Sequence, residues 1–557
     1  MSKLGIDFDI FNSQTFSKIT FVNEDMKNFV KDDRFFACDY TVIGYFKNNK
    51  IENKQKIISE KIFAFEQQTE ILNELYNIDF NEYVEREKFD ANSGKSIKIT
   101  LPKNNSWKNL PLNILCLAVG SGNTDDCRKA GLELGRKTVG QQSVYVPFID
   151  ELSKINLNGN CAITENVKQE ELEYKAKVAF FHGILLSCYR QTKISSQLDE
   201  NKPVEEIYVS TNNLSQTKKA YEEAFNIAQT TILARTLECV PSNIKNPPWL
   251  AENIKKLAEK TNVVNGELVY ECLDEKQLKE RGFNSILAVG SGSKTPPRLV
   301  TLTWKPNNLK ENSPKIALVG KGITYDTGGL SLKPRMSMIP MKTDMSGSAT
   351  VISAVLAAAR AGLNVQVCAI APLAENAMGG ASYRPSDVVK TYNGTTVEVV
   401  NTDAEGRMVL ADGLGYAIKD IKPDIVVDIA TLTGSATMGL GRFHAATYSN
   451  DDKVWQTMNE AGKQVGENTW RMPLIEDYRQ FLCSPIADIC HAQVVDFIGA
   501  GSVTAALFLQ KFIADCKWCH LDIAGVGRAG TNSGEVTQNQ PTGYGAAMLY
   551  SFIKSYN

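Results

Sequence analysis

Histidine is scarce in this chain, with four among 557 residues, and no two stand at the HExxH spacing of a helical zinc site. Net charge is nearly absent too. At a formal −2, the balance gives no whole-chain reason to expect nucleic acid or an anionic membrane as partner. Long apolar runs are missing as well. The most apolar helical stretch, residues 349–363, is interrupted by Arg360 and falls short of the roughly 20 apolar residues that span a bilayer. The first ten residues carry acids where a secretory leader needs an apolar run. These absences predict a cytoplasmic protein without a membrane anchor.

Twelve cysteines without regular spacing do not form the dense framework of a small secreted domain, so they are expected to be reduced. Cys516-Lys-Trp-Cys519-His520 fits a haem-attachment pattern. It runs directly into the apolar residues 521–526, however, and no second CxxC completes a zinc site, so a packing role is expected. Residues 320–329 lack the GxxxxGK[ST] order of a phosphate loop, and Gly290-Ser-Gly-Ser lacks the third glycine of a dinucleotide fingerprint. No internal repeat or low-complexity segment is present.

A chain of this length is expected to form two domains. Residues 1–205 mix short apolar runs with Asn- and Lys-rich connections and read as a small α/β domain. Residues 206–240 read as a linker helix. Tyr221, Phe225, Ala228 and Ile232 recur at helical spacing there, Ser215 is the expected N-cap, and Pro241 closes the run. From 241 to 557 strands are predicted at 315–319, 365–370, 397–400, 425–429 and 520–526, alternating with helices at 348–361, 407–419 and 503–514. That order implies an α/β fold with a mixed, largely parallel sheet flanked by helices. Asn393-Gly394 is a hairpin turn that should bring an antiparallel pair into the sheet.

Charged residues concentrate in glycine-rich turns just beyond these strands, where open α/β sheets bind ligands. Lys321, Asp326, Lys333 and Asp344 fall in one stretch, and Asn401-Thr-Asp403-Ala-Glu405-Gly-Arg407 follows. Burying so many charges is costly unless they neutralise one another or a cation. Carboxylates offer the hard oxygens that divalent ions favour, and bridging carboxylates can hold two of them. An extended Asp403-Ala-Glu405 would point both acids to one side, with Gly406 allowing a sharp turn into a helix near Arg407. A lysine can coordinate only as the free amine, which burial and nearby dications favour; alternatively it stays charged and stabilises an oxyanion. These rules do not assign the two roles between Lys321 and Lys333.

The segments Val319-Gly-Lys-Gly-Ile-Thr-Tyr-Asp-Thr-Gly-Gly, Asn401-Thr-Asp-Ala-Glu-Gly-Arg and Ala430-Thr-Leu-Thr-Gly closely resemble signatures of the leucyl (cytosol) aminopeptidase family. The resemblance runs from about residue 241 to the C-terminus and includes the His520-Leu-Asp-Ile-Ala-Gly strand. Tyr325-Asp-Thr-Gly-Gly and Thr542-Gly-Tyr-Gly are closer to its aminopeptidase-like subgroup. The resemblance implies a variable N-terminal domain, a linker helix and a two-metal catalytic domain. It implies that Lys321, Asp326, Asp344 and Glu405 bind a tighter metal and Asp326, Asp403 and Glu405 a more exchangeable one, with zinc or manganese, magnesium or cobalt as the ions. Lys333 would polarise the scissile carbonyl, and Arg407 would hold a bicarbonate acting as general base. Met341, Thr431, Gly434 and Ala524 would line the pocket for the first side chain, and the Leu432 backbone would bond the peptide. Gly527 stands where some members carry a bulky residue.

The function so implied is hydrolysis of the N-terminal peptide bond of peptides by a metal-bridged water, with leucine- or methionine-like first residues preferred and a homo-hexameric assembly. The alternative is an inactive hexameric scaffold of the same fold; a metal-dependent phosphatase is a more distant third.

Overall fold

The computed structural model describes the chain apart from residues 1–15, 25, 53–55, 153–168, 192–201, 495–497 and 533–535. It divides into two compact units, Phe11–Ala228 and Gln229–Asn557.

The first unit is built on a seven-stranded sheet. Lys18–Val22, Glu206–Ser210, Ser143–Val146, Tyr40–Glu52 and Asn113–Ala118 run parallel in that spatial order. Ser96–Thr100 closes one edge antiparallel. Phe29, Phe35 and Tyr145 anchor its core, with the Phe29 and Tyr145 ring centroids 4.8 Å apart. Residues 206–210, expected within the linker helix, are therefore a strand of this sheet. Their alternating Ile207 and Val209 are fully buried, the period of a strand rather than a helix. The helix itself runs Leu214–Cys239. The Asn213 side chain, not Ser215, accepts the Gln216 N–H at its start, because the helix begins one residue before Ser215.

The second unit holds a nine-stranded mixed sheet. Its centre is parallel: Lys517–Asp522, Ile425–Ala430, Ile316–Gly320 and Val367–Asn376. Antiparallel strands Arg298–Pro306 and Gly266–Leu273 extend one side, and Ala445–Ser449 pairs antiparallel on the other. Ala317 and Val319 pack into one apolar cluster with Met408, Val409 and Leu414 of helix Glu405–Tyr416. The alternate residues Ile316 and Leu318 are fully buried on the opposite face, where helix Ser346–Ala361 packs on the same strand. That helix is buried nearly all round, so it shows no amphipathic stripe; Gly362, at φ 60°, caps its end.

The Asn393-Gly394 hairpin forms as expected, joining Val388–Lys390 to Thr396–Glu398. It does not enter the large sheet. With Ile489–Cys490 it makes a separate three-stranded sheet, since an Asp488 carboxylate holds the Thr396 N–H and hydroxyl beside that strand. Among the described residues no helix is long and apolar enough to cross a membrane. Cys519 is buried in its strand and forms no disulfide.

Candidate metal centre

The parallel register aligns the ends of the central strands. Gly320 pairs with Ile429, and Ala430 with Asp522, so Lys321, Thr431 and Ile523 leave the sheet side by side. Gly322–Asp326 is a further strand on Val367–Asn376, and Asp326 is its last residue. Gly328 and Gly329 follow at φ 87° and 61°, a left-handed pair that favours glycine. They fold the chain back so that the Lys333 N–H reaches the Thr327 carbonyl at 2.9 Å.

Four carboxylates and two ammonium groups meet there. Lys321 Nζ donates to the Thr431 carbonyl at 2.9 Å and lies 2.9 Å from Asp344 Oδ2 and 2.8 Å from Glu405 Oε1. Lys333 Nζ bridges Asp326 Oδ2 at 2.8 Å and Asp403 Oδ1 at 2.5 Å. Asp326 Oδ1 also accepts from the Gly328 N–H and from Asn376 Nδ2, each at 2.8 Å. Thr431 donates its hydroxyl to Asp344 Oδ1 at 2.7 Å. Asp326, Asp403 and Glu405 can each direct one oxygen into a common space, all within 4.8 Å of one another.

Burial sets the electrostatics. Asp326, Asp344 and Glu405 are 1%, 5% and 1% exposed, and Lys321 is 3% exposed. Burial raises the pKa of all four carboxyls, and repulsion among them adds to it against the pull of the lysines. Burial would depress Lys321, but Asp344, Glu405 and Asp326 overcome it and hold the ammonium charged. Lys333 is likewise raised by Asp326 and Glu405 against its burial. The carboxylates thus keep Lys321 protonated in the chain alone, the reverse of the depression that coordination through a free amine requires. Two ammonium groups still leave the four carboxylates with an excess of two negative charges. Among the described residues Glu405 Oε2 is buried with no hydrogen-bond partner. A divalent cation fits this donor set.

Two local details differ from expectation. Asp403 and Glu405 are not on an extended segment: Asn401 accepts the Ala404 N–H through its carbonyl and the Asp403 N–H through its side chain, and the helix starts at Glu405. The turn, not strand alternation, brings the two acids together. Gly406 does not supply a sharp turn either. It lies inside the helix, and a Cβ there would sit 2.7 Å from Lys321 Nζ, so the glycine is the space into which that ammonium fits.

A cavity of about 570 Å³ opens over the cluster. Every sequence-predicted site residue lines it except Arg407. Arg407 is buried on the helix that Glu405 begins, with Nη1 donating to the His491 carbonyl at 2.8 Å. Among the described residues its Nε has no partner. The Leu432 N–H donates to Asp522 Oδ1 at 3.2 Å.

Several supporting residues carried no sequence signal. Asn376 donates to both Asp326 and the Thr402 carbonyl, and Tyr383 donates to that same carbonyl at 3.0 Å. Asp522 caps the Leu432–Thr433 turn. Lys245, fully buried, donates to the carbonyls of Leu237, Glu238 and Lys342, while Lys342 returns a bond to the Cys239 carbonyl. The pair staples the turn before Asp344 to the end of helix Leu214–Cys239. His520 Nδ1 is paired with Asp428 at 2.6 Å inside the sheet, the packing position expected for it, but its buried Nε2 has no partner among the described residues.

Residues 232–550 match the profile of the cytosol aminopeptidase family, catalytic domain. A probable cytosol aminopeptidase of Chlorobium phaeobacteroides is 36% identical over 84% of this chain and 90% of its own length. The cytosol aminopeptidase of Rickettsia prowazekii is 40% identical over 67% of this chain and 74% of its own. Among solved structures, the bottromycin maturation enzyme BotP in complex with Mn superposes with a TM-score of 0.74 at 30% identity, covering 93% of this chain and 99% of that one. With more than half of the chain inside the catalytic-domain match and the carboxylate cluster intact within it, this protein belongs to the cytosol aminopeptidase family of metal-dependent peptide hydrolases.

Proposed function

We propose that the chain is a two-metal, leucyl-type aminopeptidase that removes the first residue of peptides. The observation that carries this is the uncompensated charge of the buried cluster, together with the donorless Glu405 Oε2. Lys321, Asp326, Asp344 and Glu405 would hold the tighter cation, and Asp326, Asp403 and Glu405 the more exchangeable one. Bound there, divalent ions supply Lewis acidity toward the scissile carbonyl and a water acidic enough to attack it at neutral pH. Manganese and zinc suit the oxygen-rich set, as do magnesium and cobalt; the Mn of the BotP structure favours manganese.

The chain's own residues do the rest. To serve as a ligand, Lys321 must release a proton from Nζ, which its carboxylates oppose and an approaching dication favours. Lys333 keeps its charge on the cavity wall and stabilises negative charge on the carbonyl oxygen. The orphaned Arg407 Nε supports a bicarbonate held there as general base. Met341, Thr431, Gly434 and Ala524 line the cavity and favour a leucine- or methionine-like first side chain. Assembly as a homo-hexamer in the cytoplasm rests on the family alone.

Chelator-treated protein should be assayed on aminoacyl amides and their N-blocked forms, with manganese, zinc, cobalt or magnesium restored separately. Metal-dependent cleavage of free-amine substrates only is expected. No cleavage with any metal would overturn the proposal in favour of an inactive scaffold.

A further inference from the structure

The cavity carries a second charged feature that the hydrolytic chemistry does not use. Arg442 and Arg528 both line it, alongside the acids and lysines of the metal centre. The four acids on the wall are engaged by Lys321 and Lys333. Among the described residues, neither arginine makes an ion pair or a side-chain hydrogen bond. Arg442 Nη1 is buried with no partner, and its aliphatic stem lies along Gly530, where a Cβ would come within 3.2 Å of it. The two guanidinium groups repel each other: the Arg528 pKa is lowered first by burial and then by Arg442, against a smaller pull from Asp344. Placing two like charges together, partly desolvated and with no direct ion pair to either, is unfavourable. It is relieved when an anion fills the gap. A guanidinium presents a planar fork of donors that matches a carboxylate.

Resting on the aminopeptidase reading for the substrate's identity, we infer that Arg442 and Arg528 form a subsite that binds a carboxylate of the peptide substrate. A short peptide would then span the cavity, its free amine at the metal centre and its carboxylate at the arginines. Thr437 and Asn539 line the same cavity and add hydroxyl and amide groups to it. Two carboxylates meet this chemistry: the C-terminus of a di- or tripeptide, and an acidic first side chain.

Paired substrates separate the sources. One arm compares Leu-Gly with Leu-Gly amide, and the other compares glutamyl with glutaminyl 4-nitroanilide, each as kcat/KM with the manganese-loaded enzyme. A charged hydrogen-bonded contact predicts that the acid of one pair is favoured by roughly tenfold or more. In Arg442→Met and Arg528→Met that ratio should fall toward one, and Arg442→Lys should restore part of it. Because each ratio is internal to one preparation, a loss of folded protein cannot mimic the result. Calorimetric titration of the chelator-treated chain with the same pairs reads binding without turnover. An active enzyme with ratios near one in both arms, or ratios that neither methionine variant changes, overturns the inference alone. A chain inactive on every substrate that still binds the acids selectively, through these arginines, overturns the aminopeptidase reading and leaves the subsite standing.

Discussion

Glu405→Gln separates a cation site from a structural ion-pair network. The glutamate lies 2.8 Å from Lys321 Nζ, an attraction of about 6 kcal/mol at an effective dielectric constant of about 20. Against it stands repulsion from Asp326 and Asp403, whose oxygens lie within 4.8 Å of its own and oppose it by about 3 kcal/mol each on the same scale. The two nearly cancel. Neutralising Glu405 without changing its shape should therefore leave the metal-free protein within about 2 kcal/mol of its original stability. The cation-loaded protein behaves differently. A cation at about a thousand times its Kd stabilises the folded state by about 4 kcal/mol, and a hundredfold loss of affinity leaves about 1.4 kcal/mol. Melting curves of both proteins, chelated and then titrated with manganese, measure each quantity. The expected outcome is a nearly unchanged metal-free melt and a collapsed response to manganese, with turnover abolished. A metal-free variant destabilised by more than about 4 kcal/mol, or one that manganese stabilises as strongly as the parent, would refute the reasoning.

Gly406→Ala places a methyl 2.7 Å from Lys321 Nζ; overpacking of about 1–3 kcal/mol is expected, with manganese affinity and kcat falling more than the melting temperature does. Lys245→Met leaves three carbonyls at the helix end and the Asp344 turn without their donor. It should lower both stability and kcat/KM, by roughly tenfold or more for the latter, while the more accessible Lys342→Met should give a smaller change in the same direction. His491 is buried, and burial with the nearby Arg407 charge lowers its pKa from 6.5 to about 4. Its ring accepts the Val400 N–H at Nδ1, and Nε2 stands 2.7 Å from the Asn401 carbonyl, which suits the neutral imidazole with its proton on Nε2. Because the unfolded chain takes up the proton first, the stabilisation is complete above about pH 6.5 and is lost as pH falls toward 4, by about 3 kcal/mol in all. Denaturant titrations across that range should show the loss, and His491→Gln should flatten it.

The amino-acid order alone determined the α/β class and the places where charge collects. Strand alternation and glycine punctuation are local signals, and Lys321, Asp326, Lys333, Asp403 and Glu405 all stand in short motifs at strand ends. Local pattern also found the long helix and the Asn393-Gly394 hairpin. It could not tell that the hairpin joins a separate sheet, that residues 206–210 are a strand, or that Asp403 and Glu405 converge through a turn, because those outcomes depend on what packs alongside. The charge state of Lys321 was beyond it for the same reason. Coulomb interactions act through space, and the acids that keep this ammonium charged come from Asp344 and Glu405 on separate elements. Gly406 shows the limit most directly: its residue type is visible in the sequence, but only the approach of Lys321 from the end of a sheet strand to this helix explains why no side chain fits there. The same holds for Arg442 and Arg528, whose segments follow different strands and acquire a common meaning only where both reach one cavity.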